Sequence, residues 1–232
     1  MRSSVALAAL LLACPVAAAA QDADYSDHYD PAGDSGLPRF AGLRGSFAFI
    51  NNASTTVPAA PPSGLRASFD NGGGGSVYVG TRLPEGFRVE LEALYRYLPV
   101  HSVNVGNTST DSVAGGHAQM GAPMVNLLFE LPVPDFPLRP FFGAGIGGAY
   151  IAADAADNGG NDYLRTSNWN FAYQFMGGAE IPLSQSSRFT AMYRWLQVGD
   201  VNSKCGVSGA ASYACKARFN TQSLDLGLEM DM

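Results

Sequence analysis

The sequence predicts an all-β protein, namely an eight-stranded antiparallel up-and-down transmembrane β-barrel. Three observations predict this fold: apolar and polar residues alternate along eight segments, short and long connections alternate between the segments, and an export signal precedes them all. The composition agrees with it, because 47% hydrophobic residues argue against a disordered chain and 27 glycines among 232 residues argue against a helical bundle.

The first element is a secretory signal peptide over residues 1–20. Its apolar run over residues 5–20 follows Arg2 and ends in alanines before Gln21. One alternative stays open, because Cys14 follows Leu-Leu-Ala in the manner of a lipoprotein cleavage site and would then be acylated. The bulky leucine within that pattern and the proline directly after it favour the ordinary signal peptide.

The second element is an acidic tail over residues 21–38, which we expect in the periplasm ahead of a barrel over residues 39–232. Without residues 1–20 the chain loses only Arg2, so 13 basic and 20 acidic residues leave a net charge of −7. Nucleic acid is therefore excluded as a partner, since the chain has no basic field for a polyanion. No later segment has the ~18 consecutive apolar residues of a membrane-spanning helix.

Eight predicted strands follow, each with one apolar and one polar face. The clearest is the third, where Phe87, Val89 and Leu91 alternate with charged residues. The strands are centred on residues 43–49, 76–83, 86–98, 125–131, 140–151, 169–181, 188–195 and 223–232. Connections are short at 83–86, 131–139 and 182–187 and long at 51–72, 101–117, 152–167 and 200–216. This predicts four long surface loops at one end of the barrel and both termini at the other.

The charged strand faces are predicted to line the barrel interior. A soluble barrel or sandwich would expose them, but here six of the twelve arginines share one face with carboxylates, which suits a sealed interior where arginine forks bind carboxylates. The predicted interior network is Arg44, Arg82, Arg88, Glu90, Glu92, Arg96, Glu130, Glu180, Arg188, Arg194, Asp225 and Glu229. The predicted lipid-facing set is Phe87, Val89, Leu91, Val125, Leu127, Phe175 and Leu226.

The size of the barrel limits its function. Side chains nearly fill an eight-stranded barrel, whereas wide aqueous pores need roughly 16 to 18 strands. We therefore expect a surface protein whose long loops supply a structural, antigenic or adhesive role, with a host or envelope ligand as the possible loop partner. Outer-membrane lipid and lipopolysaccharide are the expected surroundings. A narrow small-solute channel is the alternative.

Cys205 and Cys215 lie ten residues apart in a segment rich in Gly, Ser and Ala. Two such thiols in an exported protein usually form a disulfide, which is our prediction, with free thiols as the alternative. Metal binding is disfavoured, because two thiols without a nearby histidine do not supply the four ligands of structural zinc.

No catalytic, cofactor or metal site is predicted. Hydrolysis or acyl transfer at a membrane face needs a serine activated by a histidine, and the only histidines are His28, His101 and His117. A loop could unite His117 with Asp111 or Ser112, so a lipid-modifying enzyme stays as a less favoured alternative.

Two further motifs are given structural interpretations. Gly143, Gly145 and Gly148 match a dinucleotide-binding pattern, but the alternating strand continues through them where that site needs a helix. The acidic residues of the segment 154–162 could offer oxygen ligands to Ca²⁺, but their spacing fits no calcium loop.

Five segments resemble the opacity-protein and surface-antigen family of bacterial outer-membrane barrels, in the order shown by that family. They are residues 86–92, 124–129, 140–147, 171–174 and 193–195. The resemblance extends from about Phe40 to the C-terminus and implies an eight-stranded barrel at the bacterial surface that is inserted by the barrel-assembly machinery. It implies no catalytic residues. One departure is the terminal Met232, where such barrels commonly end in Phe.

Overall fold

The structure is a computed structural model that describes residues 37–50, 53–56, 65–105, 115–133, 137–156, 162–205 and 213–232. Side chains are described for residues 37–49, 70–100, 116–133, 137–153, 167–199 and 219–232. The chain divides into the units Met1–Ser35 and Gly36–Met232, and all the described residues belong to the second. The predicted signal peptide, Cys14 and most of the acidic tail lie outside the described residues.

Within the described residues, ten strands form one antiparallel sheet. They are β1 (Arg39–Ile50), β2 (Ala53–Thr56), β3 (Leu65–Phe69), β4 (Gly72–Arg82), β5 (Phe87–Val105), β6 (Gly115–Glu130), β7 (Arg139–Ala156), β8 (Asp162–Pro182), β9 (Ser187–Cys205) and β10 (Tyr213–Asp231). Neighbours pair around a ring from β1 through β4 to β10, and β10 pairs again with β1. The sheet is therefore a closed barrel.

The short strands β2 and β3 continue β1 and β4 rather than adding to the ring. β2 pairs with β10 beyond the end of the β1 ladder, and β3 pairs with β5 beyond the end of the β4 ladder. β2 and β3 also pair with each other, as β1 and β4 do. The ten strands thus make eight wall positions, which confirms the predicted eight-stranded antiparallel barrel.

Tight turns and the C-terminus lie together at one end, which we call the turn end. Between β4 and β5 the chain turns at Pro84–Gly86, where Glu85 and Gly86 have positive φ angles of 64° and 81°. A Cβ on Gly86 would lie 2.8 Å from the carbonyl oxygen of Glu130, so a side chain there is doubly disfavoured. The Met232 amide donates to the Arg39 carbonyl oxygen at 2.9 Å and seals the ring.

The opposite end, which we call the far end, extends further in regular strands than the alternation predicts. The connections predicted at 101–117, 152–167 and 200–216 are strands over 101–105, 115–117, 152–156, 162–167, 200–205 and 213–216. Their sequences are rich in Ala, Gly, Asn and Ser, so the period-two signal fades there while the backbone ladder continues. The segments 106–114, 157–161 and 206–212 lie outside the described residues.

The core lies inside the barrel and has two layers. The layer nearer the turn end is made of buried charged and amide side chains. The layer nearer the far end is made of fifteen buried apolar residues: Ala48, Leu94, Leu98, Val100, Ala118, Met120, Ala122, Met124, Ala149, Ile151, Ala153, Ala172, Leu196, Val198 and Phe219. We call these the charged layer and the apolar layer. Large apolar side chains are exposed on the outer face, as in a barrel whose solvent is lipid.

Candidate functional site in the barrel interior

Arg88 is the centre of the charged layer. It is 1% exposed and contacts four carboxylates from four strands. Its Nη1 donates to Glu130 at 3.0 Å and to Glu180, and its Nη2 donates to Glu90 at 2.9 Å and to Glu229 at 2.6 Å. One guanidinium on β5 therefore ties together β5, β6, β8 and β10.

Two further arginines hold the rim of the charged layer at the turn end. Arg82 on β4 donates to Glu229 and, at 2.6 Å, to Asp231. Arg188 on β9 donates to the same Asp231 at 2.6 Å and lies 3.6 Å from Glu229. These contacts link β4 and β9, the strands on either side of the β1–β10 pair that closes the ring.

The middle of the charged layer is organised around Glu92. Arg194 binds this carboxylate with both terminal nitrogens, at 2.9 and 2.7 Å, and its Nε lies 2.8 Å from Asp225. The amides of Asn126 and Gln174 donate to the same carboxylate at 2.9 and 3.1 Å. This is a connected buried network, which rigidifies a core when its members satisfy one another.

Arg44 joins the two parts of the charged layer. It donates to Glu90 at 3.0 and 3.1 Å and to Glu92 at 3.4 Å. Its guanidinium carbon lies 3.5 Å from the centroid of the Tyr78 ring, and the Tyr78 hydroxyl donates to Glu229 at 3.3 Å. The stacking provides a second favourable contact for the buried cation.

Arg96 differs from the other interior arginines. It is 0% exposed, yet its two described hydrogen-bond acceptors are neutral hydroxyls, those of Thr221 and Ser223 on β10. Its Nε has no hydrogen-bond partner among the described residues, which is also true of the Nε atoms of Arg44 and Arg88. Among the described residues, no carboxylate oxygen lies within 4.0 Å of its guanidinium nitrogens. Each other predicted interior arginine has at least one such pair.

The structure places all twelve residues of the predicted interior network on the inner face. Ten are buried, and Arg82 and Glu130 are partly exposed at the rim of the turn end. Sequence reasoning left Asp231 and Tyr78 out of the network and missed the apolar layer. A signal for the apolar layer exists, because Ala93, Leu94 and Tyr95 are apolar on both parities of β5.

The predicted lipid-facing residues all lie on the outer face. Leu91, Val125, Leu127, Phe175 and Leu226 are about half exposed, while Phe87 and Val89 are less so. Two aromatic bands flank this apolar belt. Phe87 and Phe129 form the band near the turn end with a ring separation of 5.0 Å, and Tyr150 and Trp169 form the band near the far end at 5.6 Å. Such paired bands mark membrane interfaces.

The residues weighed for chemistry fall in different places. The His117 ring stacks on Tyr97 at 5.6 Å on the outer face, and Asp111 and Ser112 lie outside the described residues. The side chains of His101, Cys205 and Cys215 are likewise not among those described. The backbone register pairs Cys205 with Tyr213 and Cys215 with Ser203. This register does not test the disulfide between Cys205 and Cys215, which stays a prediction.

The glycines of the dinucleotide-like pattern lie within β7 and serve packing. A Cβ on Gly143 would lie 2.6 Å from the Leu127 carbonyl oxygen, and one on Gly145 would collide with the side-chain amide of Asn126. No group of three or more His, Cys, Asp or Glu in the described part of the chain is placed to hold a metal ion. Within the same residues, no helix is long and apolar enough to cross a membrane.

Comparisons with known proteins agree with this architecture. A model of the outer membrane protein beta-barrel domain matches residues 6–228. An outer membrane protein of Gluconacetobacter diazotrophicus is 28% identical in a 206-residue alignment that covers 84% of this chain and 52% of that relative. The chain therefore spans about half the length of the relative it matches.

Solved structures share the fold at low sequence identity. The outer membrane protein OprG from Pseudomonas aeruginosa is 14% identical with a TM-score of 0.59, covering 85% of this chain and 98% of OprG. The outer membrane protease OmpT from Escherichia coli is 9% identical with a TM-score of 0.50, covering 84% of this chain and 97% of OmpT. Identities this low indicate the fold alone.

The family model covers most of the chain, the relative is an outer membrane protein, and the structural neighbours are outer-membrane barrels. Barrels of this type generally have short turns on the periplasmic side and longer loops on the extracellular side. The resemblance inferred from the sequence is confirmed at the level of the family: this chain belongs to the outer membrane protein beta-barrel domain family and resides in the bacterial outer membrane.

Proposed function

We propose that this protein is a non-conducting barrel that acts at the cell surface, in a structural, antigenic or adhesive role, through the parts of the chain beyond the far aromatic band. The filled interior is the observation that carries this proposal. The charged layer crosses the barrel near the turn end, and the apolar layer crosses it nearer the far end.

A solute passing through would have to break the contacts of Arg88, Arg194 and their carboxylates. Apart from Glu130 at the rim, these groups are 0–3% exposed, and both arginines make several hydrogen bonds. Separating a buried ion pair typically costs ~3–5 kcal/mol per broken partnership, and several would have to open together. The narrow small-solute channel is therefore the weaker of the two candidate functions.

The regular strands beyond the far aromatic band favour a role at the surface. β5 continues from residue 98 to residue 105 beyond Tyr97, and β7 continues from residue 151 to residue 156 beyond Tyr150. At ~3.3 Å per residue these extensions reach roughly 20–25 Å along the strands. Rigid strands that present connecting segments are a usual platform for recognition. The partners proposed there are a host or envelope ligand and, around the barrel, lipid and lipopolysaccharide.

We also propose that the protein is not an enzyme. His117 is the histidine whose side chain is described, and its ring stacks on the outer-face Tyr97. The fold does not decide this question, because it is shared by a protease as well as by other outer membrane proteins. Unchanged lipid A composition in cells that overexpress the protein would support the proposal.

The first test is conductance in planar lipid bilayers. The purified, folded protein is compared with a 16-stranded porin at the same protein-to-lipid ratio, and we expect no discrete conductance steps from the wild type. An Arg88→Ala/Arg194→Ala variant that remains folded is the matched control, since loosening the charged layer is expected to produce small steps. Regular steps from the wild type would favour the channel.

The second test addresses the surface role. Cells that display the wild type are compared with cells that display a deletion of residues 206–212, and with a matched deletion of residues 157–161. We expect at least one deletion to reduce adhesion to host cells or matrix, or recognition by antibodies raised against whole cells. If neither deletion changes adhesion, antibody recognition or envelope integrity, the surface role is wrong.

A further inference from the structure

The wall of the barrel has a break in its strand pairing at Pro123, on the face that contacts lipid. We propose that this place binds a hydroxylated acyl chain of a membrane lipid, with the chain hydroxyl donating to the carbonyl oxygen of Gly148. The inference does not depend on the surface role proposed above.

Pro123 interrupts one of the two ladders of β6. Toward β7, two consecutive positions are missing from the ladder. The pairs on either side of this gap are Gly121–Tyr150 and Met124–Gly147. Toward β5 the ladder is continuous, and Pro123 pairs with Ala93. The hydrogen bond that the proline cannot make is therefore on the β7 side, where position 123 lies opposite Gly148.

The carbonyl oxygen of Gly148 is the group left without a donor. Paired residues of an antiparallel ladder exchange two hydrogen bonds, and Pro123 cannot donate one of them because it has no N–H. Within the described residues, no turn amide and no side chain donates to this oxygen instead. A carbonyl without a donor is costly inside a bilayer, since no water is there to bind it.

The position of Pro123 differs from that of the other described strand prolines. Pro99 lies beside the break between β3 and β4, where its carbonyl oxygen accepts from the Asp70 amide at 3.0 Å. Pro140 and Pro182 lie at the ends of β7 and β8. Pro123 lies in the middle of β6 with a strand on each side, a place where proline is seldom found.

The outer face has space at this break. We call the space around Gly121, Pro123 and Gly148 the β6–β7 notch. A Cβ on Gly121 would meet nothing within 4 Å, and one on Gly148 would lie 3.4 Å from the ring of Trp169. The Trp169 and Ile146 side chains are exposed on the same face and give the notch apolar sides.

The notch is reached from the outer face. Its inner-face neighbours Ala122, Met124 and Ala149 are 0–2% exposed members of the apolar layer, so that side of the wall is closed. Pro123 is exposed on the outer face. A ligand in the notch therefore needs no space in the barrel interior.

The depth of the notch selects the ligand. Gly148 lies two residues from Tyr150 of the far aromatic band, toward the turn end, which is roughly 7 Å along the strand. Lipid head groups lie at the level of such a band, so the lipid atoms at the notch belong to acyl chains. A plain acyl chain has no hydrogen-bond donor. A chain with a hydroxyl close to the head group has one, and its remaining carbons continue along the apolar belt.

Trp169 supplies the reporter for the test. The chain has two tryptophans, so Trp195→Phe leaves Trp169 alone. The full folded chain with this substitution is placed in vesicles of a phosphatidylcholine brominated in the upper part of its acyl chains, which quenches tryptophan fluorescence on contact. A phosphatidylcholine with 3-hydroxytetradecanoyl chains is mixed in, and the same lipid without the hydroxyl is the matched control. We expect the hydroxylated lipid to displace the brominated lipid from Trp169 about threefold to tenfold more effectively than the control, the effect of one hydrogen bond.

Three variants test the place of binding in the same background. Pro123→Ala gives the strand its N–H and is expected to remove the preference, because Gly148 then has a donor. Gly121→Leu fills the notch without changing the proline and is expected to remove it as well. Ala144→Leu adds the same side chain on the outer face of β7, away from the notch, and is expected to keep the preference.

A second measurement observes the acceptor directly. The carbon-13 chemical shift of the Gly148 carbonyl is measured by NMR for the full chain in nanodiscs of the hydroxylated and the control lipid. We expect a downfield shift in the hydroxylated lipid, as for a carbonyl that gains a hydrogen bond. Pro123→Ala is expected to give the same shift in both lipids.

Three results would overturn the proposal. Equal displacement by the hydroxylated and the control lipid would remove the site. Equal Gly148 shifts in both lipids would assign this oxygen to water alone. A preference that survives in folded Pro123→Ala and Gly121→Leu variants would place the binding elsewhere. None of these results bears on conductance or adhesion, so this inference and the proposed function fail separately.

Discussion

At the scale of single residues, Arg88 concentrates more of the charged layer than any other described side chain. It donates hydrogen bonds to Glu90, Glu180 and Glu229 at once, and each of these carboxylates is 0–1% exposed. A carboxylate left without its cation in this interior bears an uncompensated charge that lipid and packed side chains do not solvate.

We therefore expect Arg88→Met to lower the free energy of unfolding by about 3–5 kcal/mol, the usual cost of removing one partner from a buried ion pair. The measurement is urea unfolding of the protein in lipid vesicles, followed by tryptophan fluorescence. Arg39→Met is the matched control, because Arg39 is exposed at the turn end, and its effect is expected to stay below about 1 kcal/mol. Equal effects of the two substitutions would contradict the central role of Arg88.

Gly145 and Gly121 differ in how much space surrounds each position. A Cβ on Gly145 would meet the side chains of Asn126 and Gln174, whereas a Cβ on Gly121 of the neighbouring strand would meet nothing within 4 Å. The first position is packed against the charged layer, and the second is open.

Gly145→Ala is therefore expected to destabilise the barrel by about 1–3 kcal/mol through overpacking. Gly121→Ala is expected to be neutral or stabilising by up to about 1 kcal/mol, since alanine restricts the unfolded chain. Midpoints of urea unfolding for both variants, measured in the same vesicles, test this contrast. A shift of equal size and sign at the two positions would show that interior packing is not the cause.

The parity of alternation was enough to predict which charged residues face the interior, but the partner of each could not be predicted. Pairing depends on strand register and on how far a side chain reaches across the barrel. Arg194 contacts Glu92 from β9 to β5, and nothing local in the sequence specifies that contact. For the same reason the sequence could not distinguish Arg96 from the paired arginines, although it placed all of them on one face.

At the scale of strands, the outer face offers the most direct test of which strand face contacts lipid. Leu91 on β5 and Val125 on β6 are register partners in the apolar belt between the two aromatic bands. A cation at that depth has neither water nor a carboxylate nearby.

Leu91→Arg and Val125→Arg are each expected to destabilise the barrel in vesicles by about 2–4 kcal/mol, the usual cost of arginine near the bilayer midplane. Leu37→Arg serves as the control, because Leu37 is equally apolar and exposed but precedes β1 at the turn end. Its expected effect is below about 1 kcal/mol, since surface substitutions are usually small. Tolerance of both arginines in the apolar belt would reverse the assignment of the inner and outer faces.

The ends of the strands were less predictable than their faces. Within the belt, lipid on one side and the filled interior on the other impose a period of two on the sequence. Beyond the far aromatic band that constraint is lost, and stretches such as residues 152–156 keep the strand pairing without a clear alternation. The apolar layer escaped prediction for a related reason, since residues at both parities are apolar where it crosses β5 and β6.

At the scale of the whole molecule, closure of the ring and completion of the charged layer depend on the same residues. The C-terminal end of β10 pairs with β1 through Leu228, Glu229 and Asp231. Glu229 and Asp231 also bind Arg82 and Arg188, and Glu229 binds Arg88. Loss of this short segment would therefore open the ring, remove the carboxylates that Arg82 and Arg188 bind, and remove one of the four that Arg88 binds.

We expect a chain lacking residues 228–232 to lose about 5 kcal/mol or more, which is comparable to the whole stability of many domains, and so to form no closed barrel. Refolding into vesicles without assembly factors isolates this effect from any recognition of the C-terminus in cells. The readout is gel mobility in dodecyl sulfate before and after boiling, because a closed barrel resists the detergent until heated. A matched five-residue deletion of residues 157–161, which follow β7 in the sequence, is expected to keep the heat-dependent shift. If the C-terminally shortened chain shows the same shift as the wild type, then closure and the charged layer are independent, contrary to the coupling argued here.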